Sequence, residues 1–74
     1  MKYLQTINLT GGAVTTVTTT LTTEPYNIEF IDSSGNVITT GLTAVSLASV
    51  GGVYVVSVYN GGATLTNVKL KILY

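Results

Sequence analysis

The sequence predicts an all-β fold, a small antiparallel β-sandwich formed by a single domain over residues 1–74. Threonine occurs fourteen times and dominates the chain together with Val and Ile, and these β-branched residues fit pleated sheets better than helices. Glycine-containing turn signals recur roughly every 8–12 residues, the spacing of short strands in a sandwich or barrel. These signals are Gly11-Gly12, Gly35-Asn36, Gly41, Gly51-Gly52 and Gly61-Gly62.

The first two predicted strands are Tyr3–Leu9 and Ala13–Thr22, separated by a glycine pair. Side chains of a strand alternate between its two faces, so Val17, Thr19 and Leu21 share one face of the second strand. The opposite face then carries four threonines, which we call the threonine row: Thr16, Thr18, Thr20 and Thr22.

The clearest alternation follows in Tyr26–Asp32, where aromatic and aliphatic side chains alternate with Asn and Glu. The segment Asp32–Asn36 has the residues of a tight turn, since Asp and Ser bond to nearby backbone and Gly or Asn accept positive φ. We therefore expect Val37–Thr40 to return as the hairpin partner of the preceding strand.

Three further segments follow in the C-terminal half: Thr43–Ser49, which is either a strand or a short crossing segment, and the predicted strands Val53–Tyr59 and Thr64–Tyr74. The middle one is apolar on both faces, which is typical of a central strand covered on both sides. Asn60-Gly61 then predicts a two-residue hairpin, and two lysines on the outer face of the last strand would discourage edge pairing. Six or seven strands with such links favour an Ig-like or jelly-roll-like sandwich, and a closed barrel is the alternative.

Only six residues are charged, and the chain has no His, Cys, Trp or Arg. This composition excludes nucleophilic catalysis by a Ser–His or Cys–His pair. It also leaves no positive field for nucleic acid, because the net charge is zero. The charged residues are Lys2, Lys69, Lys71, Glu24, Glu29 and Asp32. We expect no enzyme activity, no catalytic residues, no cofactor and no nucleic-acid partner.

A membrane span is also not expected, since the longest apolar run, Val53–Val56, is far below the ~18 residues that a span needs. The first residues lack the apolar core of a cleavable export signal. A domain of this size has marginal stability, and small scaffolds compensate with disulfides, metals or oligomerisation. Without Cys or His, oligomerisation is the remaining route.

Asp32, Ser34 and Asn36 have the spacing of the first oxygen ligands of a calcium loop. That loop needs Gly at its sixth position and Glu at its twelfth, whereas Gly35 is fourth here and Thr43 is twelfth. We therefore interpret the segment as a turn and expect no metal site.

The threonine row is the sharpest local feature. Its methyl groups can bury area against another subunit while its hydroxyls bond locally or across strands, so we interpret it as an interface. Ice binding through a flat hydroxyl array and a plain exposed face are the alternatives. Tyrosine is enriched at interfaces, and Tyr59 and Tyr74 complete the predicted interface residues.

Residues 26–74 contain the turn Asp32-Ser33-Ser34-Gly35 after a strand, then Gly52-Val53-Tyr54, then a last strand with two lysines. This segment resembles the Ig-like C-terminal sorting domains of type IX secretion, and the resemblance implies an Ig-like sandwich. The whole chain, which starts at Met1 and is poor in charge and rich in Thr, Gly and Val, also resembles small bacteriophage capsid, decoration and spike-base proteins.

The sequence thus predicts a non-enzymatic structural subunit of an assembly, a virion first of all, whose partners are copies of itself or other structural subunits. The alternative is an Ig-like binding or sorting module at a bacterial cell surface, in contact with glycan or protein. Ice binding is a third hypothesis.

Overall fold

The computed structural model describes residues 1–74 and contains six β-strands and no helix, so the all-β prediction is confirmed. The strands form two three-stranded antiparallel sheets in a sandwich-like arrangement. The first sheet has the order β1-β6-β3 and the second sheet the order β2-β5-β4. The strands are β1 (Lys2–Leu9), β2 (Ala13–Thr18), β3 (Asn27–Ile31), β4 (Leu42–Val50), β5 (Val53–Asn60) and β6 (Leu65–Leu73).

Four of the five connections pass from one sheet to the other, because consecutive strands lie in different sheets except for β4 and β5. That pair is joined by a two-residue turn at Gly51-Gly52, with φ of 60° and 89°. Positive φ at both central residues is the signature of a type I′ turn, whose twist matches that of the flanking strands. Glycine adopts these angles without steric cost.

The core lies between the two sheets. The larger cluster joins the two sides of the sandwich. In it, Leu70 and Ile72 of β6 pack against Val17 of β2, Leu21 after the end of β2, and Val56 of β5. A smaller cluster at the other end consists of Leu9, Val58 and Val68. The inner residues of β6 alternate with its outer ones as the sequence predicts, and each central strand supplies apolar side chains to both clusters.

The second predicted strand, Ala13–Thr22, is too long, since β2 ends at Thr18. Beyond that residue only two backbone bonds continue the pairing: Thr19 N–H donates to Tyr54 O, and Tyr54 N–H donates to Leu21 O. The Thr19 hydroxyl also donates to Tyr54 O at 2.6 Å and accepts the Leu21 N–H at 3.1 Å. A buried threonine side chain thus competes with the sheet ladder and starts the crossing to the first sheet.

The predicted strand Val37–Thr40 is also wrong. Only one bridge, between Ile31 and Val37, and one bond from Ile38 N–H to Phe30 O hold this segment beside β3. The turn before it forms as predicted, because one oxygen of Asp32 accepts the N–H groups of residues 34 and 36 at 2.9 Å each.

The predicted hairpin at Asn60-Gly61 does not form, because β5 and β6 belong to different sheets. The buried side chain of Asn60 instead donates to the carbonyls of Leu9 and Ala63 and accepts the Gly62 N–H. It thereby fixes the crossing between the sheets.

The two C-terminal lysines have a different position from the one predicted. Lys69 and Lys71 do not prevent pairing at a sheet edge, because β6 is the central strand of the first sheet. β5 is central in its sheet as predicted, but only its inner face is covered within the chain. The structure contains no helix that could cross a membrane.

Candidate interaction surface

The two outer faces of the sandwich differ in charge. All four charged residues that lie in strands belong to the first sheet, and their neighbours in register place them on its outer side. We call this side the charged face; its charged members are Lys2, Glu29, Lys69 and Lys71. The strands of the second sheet contain no charged residue at all.

On the charged face, Glu29 lies opposite Lys71 in the register of β3 and β6. Their side chains form an ion pair with an N···O distance of 3.7 Å, and each is about 30% exposed (30% and 28%). A long, solvated pair of this kind contributes little to stability and much to hydration. The charged face therefore has the chemistry of a surface in contact with water.

The outer side of the second sheet, which we call the uncharged face, is made of eleven residues that share one side of the ladder. Eight are exposed, among them Tyr59 at 40%, and the other three, on the central strand, are half-buried. Its members are Val14, Thr16 and Thr18 on β2, Val53, Val55, Ser57 and Tyr59 on β5, and Thr43, Ser46, Ala48 and Val50 on β4.

The uncharged face consists of valine and alanine side chains mixed with hydroxyls. Its centre is the row Thr16, Ser57 and Ser46, one residue from each strand. The Thr16 and Ser57 hydroxyls lie 3.1 Å apart and hydrogen-bond to each other, so part of their bonding capacity is met within the sheet. This bonded pair and the apolar side chains around it lose less hydration when another chain covers them than charged groups would.

The four threonines of the predicted interface lie in two places. Thr16 and Thr18 lie on the uncharged face, and Thr20 and Thr22 are exposed beyond the end of β2. The threonine row is thus regular over two of its four members.

The two predicted tyrosines also differ. Tyr59 lies on the uncharged face between Val14 and Thr43. Tyr74 is half-buried against the larger core cluster of its own chain, and its N–H donates to Met1 O. Docking of these residues on a neighbouring chain stays a prediction.

One long side of the sandwich is open. Between β3 and β4, a groove of about 200 Å³ is lined mostly by apolar side chains, among them Ile28, Phe30, Leu47 and Val56. Leu47 faces Val56 in register, on the inner side of its sheet, yet it is 42% exposed. Val45, at a bulge in β4, is 54% exposed.

A more polar pocket of about 470 Å³ lies at one end of the molecule, between the loops after β3 and β5. Asp32 is its only charged residue, and Asn60 is its buried amide. Both side chains already bond to backbone groups of the turn and the crossing. No three carboxylates of the chain come close enough to hold a metal ion.

Comparison of the chain with protein-family models, with curated proteins and with solved structures found no match. The surface must therefore be interpreted from its own chemistry.

The sequence-based prediction contained Thr16, Thr18 and Tyr59 and missed the other eight members of the uncharged face. The contribution of β4 and β5 had a visible signal: residues 33–68 form an unbroken run without charge. Only the register, which puts three strands side by side, converts that run into one continuous surface.

Proposed function

We propose that this protein is a non-enzymatic structural subunit of a larger assembly, and that the uncharged face is the surface through which it packs against neighbouring subunits. The observation that carries the proposal is the segregation of charge. The second sheet has no charged residue, while the first has four on its outer side.

Folding of the single chain does not require this segregation. Both sheets supply buried apolar side chains to the same core, and outer positions of either sheet can carry charge without disturbing that core. Cores of protein interfaces are depleted in charged residues, and the uncharged face shares that depletion. The mechanism is burial of threonine, tyrosine and aliphatic area between subunits.

We propose that the assembly is a virion, in which this chain is a capsid, decoration or spike-base protein. The support is the resemblance of the small, charge-poor, Thr/Gly/Val-rich composition to phage structural proteins. The sandwich type, Ig-like or jelly-roll-like, belongs to the same proposal, and its support is two packed antiparallel sheets with crossing connections.

The proposal is tested by sedimentation velocity or light scattering over a range of protein concentrations. Thr18→Lys places an ammonium on the uncharged face at an exposed position of an edge strand. We expect it to raise the concentration at which the protein assembles by about tenfold or more, because burial of an unpaired charge is costly. Asn27→Lys is the matched control, since Asn27 is exposed on an edge strand of the charged face.

A wild-type protein that stays monomeric at high concentration would contradict the proposal. Equal effects of the two lysine substitutions would show that assembly does not use the uncharged face. The position of the gene supplies a separate check, since neighbouring capsid, portal or tail genes support a virion and a neighbouring secreted protein supports the second candidate.

The second candidate is a binding module at a cell surface, and the observation that favours it is the open pocket between the loops after β3 and β5. A small glycan would fit a pocket of about 470 Å³. Binding on a glycan array that is lost when Ala63→Tyr fills the pocket would support it, and no binding on the array would argue against it.

A further inference from the structure

We infer that the open edge of β4 pairs antiparallel with β4 of a second copy, so that two second sheets join into one six-stranded sheet. The inference rests on the proposed function and specifies which edge brings two subunits together. The uncharged face of each copy then continues into that of the other on the same side of the joined sheet.

The four edge strands of the sandwich are unequal. β1 carries Lys2 near its start, and β3 carries Glu29 and is partly covered by the bonds that hold residues 37 and 38 beside it. β2 is short, with six residues, and lies against β1 at the side of the sandwich. β4 has nine residues, eight of them exposed, with no charge and no proline.

Natural sheets protect exposed edges with charge, proline, bulges or short strands. β4 has one such device, the irregularity between Ala44 and Ser46, which leaves Ser46–Val50 as a regular and unprotected edge. The backbone N–H and C=O groups of alternate residues in this stretch point away from β5. They are the groups that a second strand would satisfy.

The side chains of Ser46–Val50 fit a twofold axis at Ala48. In that register Ala48 lies opposite Ala48 of the second copy, Leu47 opposite Ser49, and Ser46 opposite Val50. The hairpin ladder predicts that residues 46, 48 and 50 bond to β5, because the two-residue turn places Val50 opposite Val53. Residues 47 and 49 are then free to exchange four backbone bonds between the copies.

Pairing at β4 also keeps the uncharged faces together. The joined sheet presents the uncharged faces of both copies side by side, and no charged strand lies at the new contact.

Single cysteines test this register directly, because the natural chain has none. In the paired dimer only residue 48 faces its own copy within the roughly 4.4–6.8 Å that a disulfide needs. Ser46 lies about 13 Å from Ser46 of the second copy. Under mild oxidation, Ala48→Cys should form a cross-linked dimer at a rate roughly tenfold above Ser46→Cys, Val50→Cys and the β2 control Thr16→Cys.

A mixture of Ser46→Cys and Val50→Cys proteins should cross-link to each other although neither does so alone. Ala48→Lys should weaken pairing by about tenfold or more, measured by sedimentation, because it places two ammonium groups opposite each other. Preferential cross-linking at residue 46, 50 or 16 overturns the inference. Circular dichroism on each variant confirms that it is folded.

The outcomes separate this inference from the proposed function. Assembly without cross-linking at residue 48 overturns the β4 pairing and leaves the structural-subunit proposal intact. Cross-linked dimers that never form larger species support the pairing and overturn the proposed role in an assembly. A wild-type protein that is monomeric at every concentration overturns both.

Discussion

The charged face and the uncharged face cover the same core but have different chemistry. The central strands behind them are equally buried on their inner sides: Val68, Leu70 and Ile72 of β6 are at most 1% exposed, and Val56 and Val58 of β5 at most 2%. On their outer sides β6 presents two lysines, whereas β5 presents valine, serine and tyrosine. The difference lies wholly outside the core.

This comparison separates what the chain needs for folding from what it presents to its surroundings. A core between two sheets requires alternation along each strand, and it is indifferent to the choice between lysine and valine on the outer side. Folding therefore does not account for the uncharged face, and the proposed contact with other subunits would. Four stability measurements at a protein concentration too low for association test this distinction.

The largest effect is expected on the inner side of β6. Leu70 is fully buried in the main core cluster, so Leu70→Ala should lower the free energy of unfolding by about 2–5 kcal/mol. Its neighbour Lys69 points outward, and Lys69→Ala should change stability by less than about 0.5 kcal/mol. Urea unfolding measures both. Similar losses for the two variants would contradict the division into inner and outer sides.

The next effect concerns the crossing at the end of β5. Asn60→Ala leaves the carbonyls of Leu9 and Ala63 without their amide donor, and we expect a loss of about 2–3 kcal/mol. Asn36→Ala is the control, because Asn36 is exposed and bonds to Asp32 through its backbone N–H. If the two variants were equally stable in urea, the side chain of Asn60 would not fix the crossing.

Two adjacent threonines give a smaller contrast across the second sheet. Thr19→Val removes a buried hydroxyl that makes two hydrogen bonds and should cost about 1–2 kcal/mol. Thr18→Val changes an exposed residue of the uncharged face and should stay within about 0.5 kcal/mol. Thermal unfolding of both variants checks the pair, and a larger loss for Thr18→Val would reverse the assignment of faces.

The smallest effect is expected for the ion pair of the charged face. A double-mutant cycle with Glu29→Gln and Lys71→Met should give a coupling energy of about 0.2–1 kcal/mol, because the pair is partly solvated. Added salt should reduce it further. A coupling that is larger and independent of salt would mean that the charged face stabilises the fold, and the comparison between the two faces would need revision.

Local periodicity was sufficient to predict much of the fold. The inner and outer sides of β6 follow from the alternation of Val68, Leu70 and Ile72 with Lys69 and Lys71, and the structure has them as predicted. The turn at Asp32 also follows from local chemistry, since the carboxylate bonds to backbone groups only two and four residues away. Such features depend on neighbours in sequence and can be found there.

The assignment of strands to sheets depends on distant residues and could not be predicted. Asn60-Gly61 has the chemistry of a hairpin, but the bond from Asn60 to Leu9, 51 positions away, fixes a crossing instead. Val37–Thr40 resembles a strand, yet only one bridge to Ile31 and one backbone bond to Phe30 hold it beside β3.

The candidate site was predicted only in part for the same reason. Thr16, Thr18 and Tyr59 were recognised, whereas the members from β4 become part of one surface only through the register with β5. Sequence alone does not say which uncharged strands will be neighbours.

The crossing connections also have a consequence for how the chain forms. Neither sheet can be completed from consecutive strands. For example, Lys2 of β1 pairs with Leu73 of β6, near the other end of the chain. Contacts of such long sequence separation slow folding, because loop closure precedes any gain from the contact. The one local unit is the β4–β5 hairpin, which is also free of charge. Until β6 has been synthesised, the inner side of this hairpin lacks the sheet that covers it, and exposed apolar strands of this kind favour association between nascent chains.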